Sequence, residues 1–427
     1  MNENLSLPIS LSASGLFTTI TLAFLFLSLF LRLWLAVRQI RFVTARRTAV
    51  PADFADRITL EAHRKGADYT LAKTRLGLFG LLLESLLFLV FTWGGGLSAL
   101  HDFWAARLAG VAYGVALIAS MILLSALADL PFSLYQQFRL EARFGFNRMT
   151  LRIFLVDSLK QIFISALLGL PLLAAALWLM QEMGEHWWLY VWLLWVGFNL
   201  LILFIYPLWI APFFNRFSPL PDGDVKDRVK ALLARGSFGD RQLYVMDGSR
   251  RSSHGNAYFT GFGKARRIVF FDTLLEKLSP PQVEAVLAHE LGHFHHRHIV
   301  QRIAILFLFS LFFFAALGLL SSTSWFFSGL GVRAENMALA LTLFALILPW
   351  FTFPLTPIFS AWSRRHEFAA DAYAARMANA DDLVSALVLL YKDNAATLTP
   401  DPLHALFYDS HPAASERVAR LRALAAA

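Results

Sequence analysis

The chain contains no cysteine among its 427 residues. Disulfides, thiolate metal ligands and thiol nucleophiles are thereby excluded, so any metal site must be built from histidine and carboxylates. Charge is also scarce: Asp, Glu, Lys and Arg make up 16% of the chain, against roughly a quarter in an ordinary soluble domain. There is no basic n-region before the first apolar run, so no cleavable signal peptide is expected from "MNENLSLPISLSASG". Internal repeats and low-complexity linkers are absent. So is any basic, aromatic-interleaved domain, and the net charge of +8 is not read as a nucleic-acid footprint.

What is present is apolar mass, 57% of the chain with 40 Phe. A membrane helix needs about 20 apolar residues. Seven runs qualify: Leu16–Val37, Leu76–Leu97, Leu108–Leu130, Ile153–Met180, Trp187–Ile210, Ile303–Leu330 and Met337–Phe359. The connections alternate in charge. The segment from Arg38 to Arg75, the third-to-fourth loop with Arg139, Arg143, Arg148 and Arg152, the Asn215–Arg302 segment and the tail from Arg364 are basic. The intervening loops, "GGGLSALHDFW", "QEMGEHW" and "SGLGVRAEN", are poor in charge. Positive charge marks the cytoplasmic side, so the N-terminus is expected outside and both water-exposed pieces inside. The expected division is 1–213 for spans one to five, 214–302 for the first soluble piece, 303–360 for spans six and seven, and 361–427 for the second piece.

The first soluble piece reads as mixed α/β. "DVKDRVKALLARG" has helical spacing and a Gly stop, "RQLYVMDG" reads as a strand, and "NAYFTGFGKARRIVFFD" as two strands around a Gly-containing turn. "SPPQVEAVLAHELGHFHHRH" reads as a helix with Ser279 as N-cap, Pro280 at the first position and Gln282 completing a capping box.

That helix carries His289, Glu290 and His293, the pattern H-E-x-x-H. Residues four apart share a helical face, so both imidazoles can bind one Zn2+ while Glu290 stands beside it as general base. A zinc hydrolase needs a third protein ligand and an open fourth position. His296 shares the face of 289 and 293 but would crowd them, and His295 and His298 are read as solvated. Metzincin spacing would need Gly at 296 and His at 299, where the chain has His296 and Ile299. The favoured third ligand is Glu367 in "SRRHEFAADAYAARMA", with Asp371 one turn on to accept a hydrogen bond from a ligand imidazole. Height supports it. His293 lies roughly 15 Å from the start of the sixth span along a continuous helix, and Glu367 roughly 12 Å from the end of the seventh, at 1.5 Å per residue.

H-E-x-x-H followed by E-x-x-x-D resembles the gluzincin metallopeptidases, and the chain from about Val50 to Arg420 resembles the integral-membrane CAAX prenyl endopeptidases. Carrying segments include "LPFSLYQQFRLEARFGFNRMT", "YPLWIAPFFNRFSPLPDG", "HGNAYFTGFGKARRIVFFD", "HELGHFHHRH" and "YDSHPAASERV". The resemblance implies a mainly α-helical polytopic fold. Seven transmembrane helices would enclose a chamber and carry a cytoplasmic gluzincin-type protease domain with a small β-sheet. It implies one Zn2+ per chain on His289, His293 and Glu367, with Glu290 catalytic. His411 would stabilise the oxyanion and Asn256 would contact substrate; Arg417, near His411, is read either as an assisting residue or as an arginine of a surface helix. Asn256 also precedes a strand able to pair with an extended peptide. The chamber is compatible with polar residues in or near the spans: Glu84, Asp129, Asp157, Lys160 and Asn199.

The implied partners are a prenylated or membrane-associated peptide or protein and the bilayer, with no nucleic acid. The Arg- and Ala-rich, Lys-poor composition and the ending "LRALAAA" point to a bacterial inner membrane, with the endoplasmic reticulum as the alternative. Prenyl specificity would then lack a native counterpart. Two other readings remain: a quality-control protease of the HtpX type, and a transporter or channel with structural zinc. Glu290 separates the last, since a closed structural site needs no general base.

Overall fold

The computed structural model describes residues 12–239, 241–260 and 267–426. Among these residues seven helices are long and apolar enough to cross a membrane. The first five are α1 (Ala13–Arg46), α2 (Leu60–Phe91), α3 (Gly110–Tyr135), α4 (Leu151–Glu182) and α5 (Trp187–Ile205). Their outer surfaces are apolar and uncovered: Phe30 is 63% exposed, Ile162 64% and Leu193 51%. In water such a surface would aggregate, whereas in lipid it is the solvated face.

Several spans overshoot the bilayer. At 34 residues α1 is about 51 Å long, against a hydrocarbon thickness of about 30 Å. The segment from Arg38 to Arg75, read as a basic loop, is mostly helix, because α1 continues to Arg46 and α2 begins at Leu60 with Thr59 as N-cap. These overhangs reach the water-exposed domain. Arg38 pairs with the buried Asp401, and the backbone N–H of Asp401 donates to Gln39.

That domain begins with β1 (Phe217–Pro219), α6 (Asp224–Arg235), β2 (Gln242–Met246), β3 (Ala257–Thr260) and β4 (Arg267–Phe271). The sheet order is β1-β2-β4-β3, with β2 and β4 parallel and the other pairs antiparallel. The Gly-containing turn expected between β3 and β4 lies at 261–266, outside the described residues. The metal-motif helix α7 (Pro280–His295) opens with the expected Ser279–Gln282 capping box and buries Val283, Leu287, Ala288 and Leu291 against the sheet domain's core.

Three sequence expectations differ from the structure. First, α7 and the sixth span, α8 (His298–Leu320), are not one helix: Arg297 is left-handed, at φ 55° and ψ 32°, and breaks them. Second, the sixth span ends at Leu320, and Ser324–Gly329 forms a separate short helix that lies against α1. Third, the seventh span is α9 (Met337–Thr352) and α10 (Thr356–Met377), joined through a 3₁₀ turn at Phe353–Leu355, where Pro354 has no N–H to continue the α-helical ladder. Helices α11 (Ala380–Asp393), α12 (Pro402–Tyr408) and α13 (Ala414–Ala426) complete the chain.

The polar groups singled out in or near the spans are partnered. Arg32 donates to Glu84, Ser133 to Asp129, Arg251 to Asp157 through two nitrogens, and Lys160 to the Phe213 carbonyl. The Asn199 amide donates back to Trp195 within α5. Between α2, α3 and α9 run cavities of about 190 and 310 Å³ that share Gly80 and Asp129. The smaller meets, at Lys73, a cavity of about 770 Å³ that reaches His411. These adjoining cavities lead from the spans toward the water-exposed domain.

Candidate active site

The site forms where α7 crosses α10. Gly292 permits the approach: a Cβ there would lie 2.8 Å from the Ala370 Cα and 3.0 Å from its carbonyl oxygen. Gly292 sits between His289 and His293 on one helix, and Ala370 between Glu367 and Asp371 on the other. The contact of these two small residues therefore sets two carboxylates, one turn apart, against two imidazoles, one turn apart.

Both nitrogens of His289 are held. Nδ1 lies 2.8 Å from Asp371 and Nε2 3.5 Å from Glu367. The Nε2 of His293 lies 3.4 Å from the other Glu367 oxygen and 3.3 Å from the Nε2 of His289. Ligands at tetrahedral corners about 2.0–2.1 Å from a zinc ion lie about 3.3–3.4 Å apart, so these edges fit one zinc ion. A second observation agrees: the Oε2 of Glu367 is buried and accepts no hydrogen bond. Buried acceptors without partners are rare, and a cation would satisfy this one.

Electrostatics favours a cation there too. Burial opposes charge on His289, but the neighbouring carboxylates of Asp371 and Glu367 outweigh it and raise its pKa to about 9. A divalent ion at Nε2 would take that proton's place. Burial and the neighbouring His289 hold His293 down to about 3, so its Nε2 offers a lone pair at neutral pH. Burial pushes the Glu290 carboxyl up, toward the range useful to a general base.

Arg417 is 5% exposed and grips Asp371 through two nitrogens at 2.6 and 2.9 Å, with another nitrogen 4.0 Å from Glu367. It is therefore a member of the buried cluster. His411, on the exposed loop before α13, places Nε2 3.5 Å from Glu367. Asn256 is not hydrogen-bonded to this cluster among the described residues. It stands at the head of β3, its side chain accepting from the Ala257 N–H, and β3 lies at the edge of the sheet. His296 caps α7 and is not in the metal group, whereas His289, His293 and Glu367 form it.

His298 departs from the sequence expectation. It is buried, at 4% exposure, with Nδ1 3.0 Å from the Nδ1 of His293. The left-handed Arg297, which folds it back under His293, has no signature in the sequence.

The chain matches two family descriptions in succession: CAAX prenyl protease N-terminal, five membrane helices, over residues 39–216, and Peptidase family M48, over residues 219–425. A CAAX prenyl protease 1 homolog of Arabidopsis thaliana is 36% identical over 72% of this chain and 73% of its own. CAAX prenyl protease 1 of Saccharomyces cerevisiae is 32% identical over 88% of each chain. The crystal structure of S. mikatae Ste24p superposes with a TM-score of 0.87 at 30% identity, covering 95% of this chain and 98% of that one. These relatives are eukaryotic, and the bacterial source suggested by composition is not borne out. With the paired matches, the relatives covered along most of their length and a site of two histidines and a glutamate across two packed helices, the chain belongs to the M48 peptidases of the CAAX prenyl protease 1 family and is a membrane-embedded metalloendopeptidase.

Proposed function

We infer that this enzyme cleaves near the C-terminus of prenylated CAAX proteins, using one zinc ion held by His289, His293 and Glu367. The observation that carries the zinc assignment is the set of 3.3–3.5 Å separations among those three side chains, around a buried carboxylate oxygen that accepts no hydrogen bond. Zinc, when bound, supplies a Lewis acid that makes water a nucleophile near neutral pH.

The rest belongs to the chain. Glu290, raised by burial, takes the proton from the attacking water and returns it to the leaving amine. His411, exposed at the mouth of the large cavity, donates to the oxyanion that develops on the carbonyl. Asp371 accepts from the Nδ1–H of His289 and leaves Nε2 free for the metal, and Arg417 holds Asp371 in place. Asn256 and the edge of β3 receive the peptide in extended form. The site lies on the side of the basic connections, the cytoplasmic side, with the N-terminus opposite.

The test is cleavage of a fluorogenic peptide with a farnesylated CAAX end by detergent-purified protein, beside the same peptide without lipid. A Glu290→Gln variant is expected to lower kcat by about 10²–10⁴ while zinc remains bound at one equivalent. Equal cleavage of the lipid-free peptide would overturn the prenyl specificity. Undiminished activity in the variant would overturn the role of Glu290.

A further inference from the structure

The two histidine ligands are not held alike. His289 turns its second nitrogen to a carboxylate, whereas His293 turns its Nδ1 to the Nδ1 of another histidine, His298, at 3.0 Å. Five residues apart on an unbroken helix, 293 and 298 would point about 140° apart. They meet because Arg297 adopts the left-handed conformation, ends α7 and starts α8 in a new direction, with His298 as its first residue.

The contact is constrained from both sides. The Nε2 of His293 faces His289 and Glu367, so the ring proton belongs on Nδ1 and donates to His298. His298 must then present an unprotonated Nδ1. Its ring cannot swing away: it is 4% exposed and lies flat on His366, with centroids 3.9 Å apart and planes within 4°. One turn further along α8, Arg302 donates to Ser363 of α10 at 3.0 Å, which ties that span to the helix bearing Glu367.

The geometry points to His298 as a positioning residue of the metal centre, by which the first residue of the sixth membrane span fixes the tautomer and ring orientation of the ligand His293. It does for His293 what Asp371 does for His289, without adding negative charge to a site that already holds Glu367 and Asp371. The inference rests on the assignment of the metal to His289, His293 and Glu367.

The experiment measures zinc affinity of the purified full-length protein by competition with a chromogenic chelator, alongside kcat and KM. His298→Phe keeps a ring to stack on His366 and removes the acceptor. His298→Asn places a carbonyl oxygen near the Nδ1 position. The phenylalanine variant is expected to weaken zinc binding about 10–100-fold and to lower kcat with KM little changed. The asparagine variant should stay within about threefold of the parent, because the acceptor is restored. His298→Leu repeats the acceptor-free arm with a smaller side chain if the phenylalanine variant does not purify folded. Parental zinc affinity in the acceptor-free variants, or an equal loss in the asparagine variant, would overturn the proposal. His289→Ala is the reference: if it too kept parental zinc affinity, the metal assignment itself would fall, and the role of His298 with it.

Discussion

Gly292 and Gly169 both lie inside helices, in opposite surroundings. A Cβ on Gly292 would meet the backbone of Ala370 at 2.8 Å, while one on Gly169 of α4 would meet nothing within 4 Å. The first belongs to the seam between α7 and α10, where buried charges are stacked against each other. The second belongs to a span whose surface faces lipid. In the seam Gly292 meets Ala370, and Asp371 meets both His289 and Arg417, so neighbours are set residue by residue. The outer face of α4 has only to be long, helical and apolar. Tolerance to change should follow that division.

The largest difference is expected for charge. Arg417 and Asp371 are both buried, so Arg417→Met leaves an under-compensated carboxylate and should cost about 3–5 kcal/mol. Lys226 pairs with Asp222 in the water-exposed domain, where Asp222 is 94% exposed, and Lys226→Met should leave stability almost unchanged. Unfolding of both variants in one detergent measures the contrast, and equal losses would break it.

Next comes volume. Gly292→Ala should destabilise by about 1–3 kcal/mol through overpacking and part α7 from α10, with weakened zinc binding as a second readout. Gly169→Ala should stabilise by about 0.5–1 kcal/mol, since the helix gains propensity and nothing is displaced. Opposite signs for one substitution at two sites would sharpen the comparison more than either value alone.

The effect that is smallest at neutral pH, and appears only on acidification, is a pH dependence outside the seam. Burial holds His404 of α12 down to about 4, against an ordinary value of 6.5, and its Nδ1 has no hydrogen-bond partner. Between pH 6.5 and 4 the unfolded chain binds more protons at this residue, so its contribution makes stability fall as pH drops through that window. His404→Phe should flatten thermal stability over that range and leave it unchanged above pH 7, and an unaltered profile would remove His404 as the cause.

The sequence by itself determined the class of the protein, the number of spans and the small sheet, and it singled out His289, His293 and Glu367, which the fold brings together. Hydropathy over about 20 residues and the i, i+4 spacing of a helix are local properties, so a linear reading recovers them. The ends of the spans were less legible: α1 and α2 run past the bilayer because polar residues such as Arg38 and Gln39 find partners in the water-exposed domain, and hydropathy does not register partners. Arg417 was visible only as an arginine near His411, since its bidentate grip on Asp371 joins residues 46 apart. His298 read as solvated because five residues on a helix point away from one another, and only tertiary packing holds Arg297 in the left-handed conformation that reverses this. The sequence therefore determined which side chains could do the chemistry. The tertiary structure decided which atoms hold them in place, because a turn of backbone and a crossing of two helices depend on contacts that no local window contains.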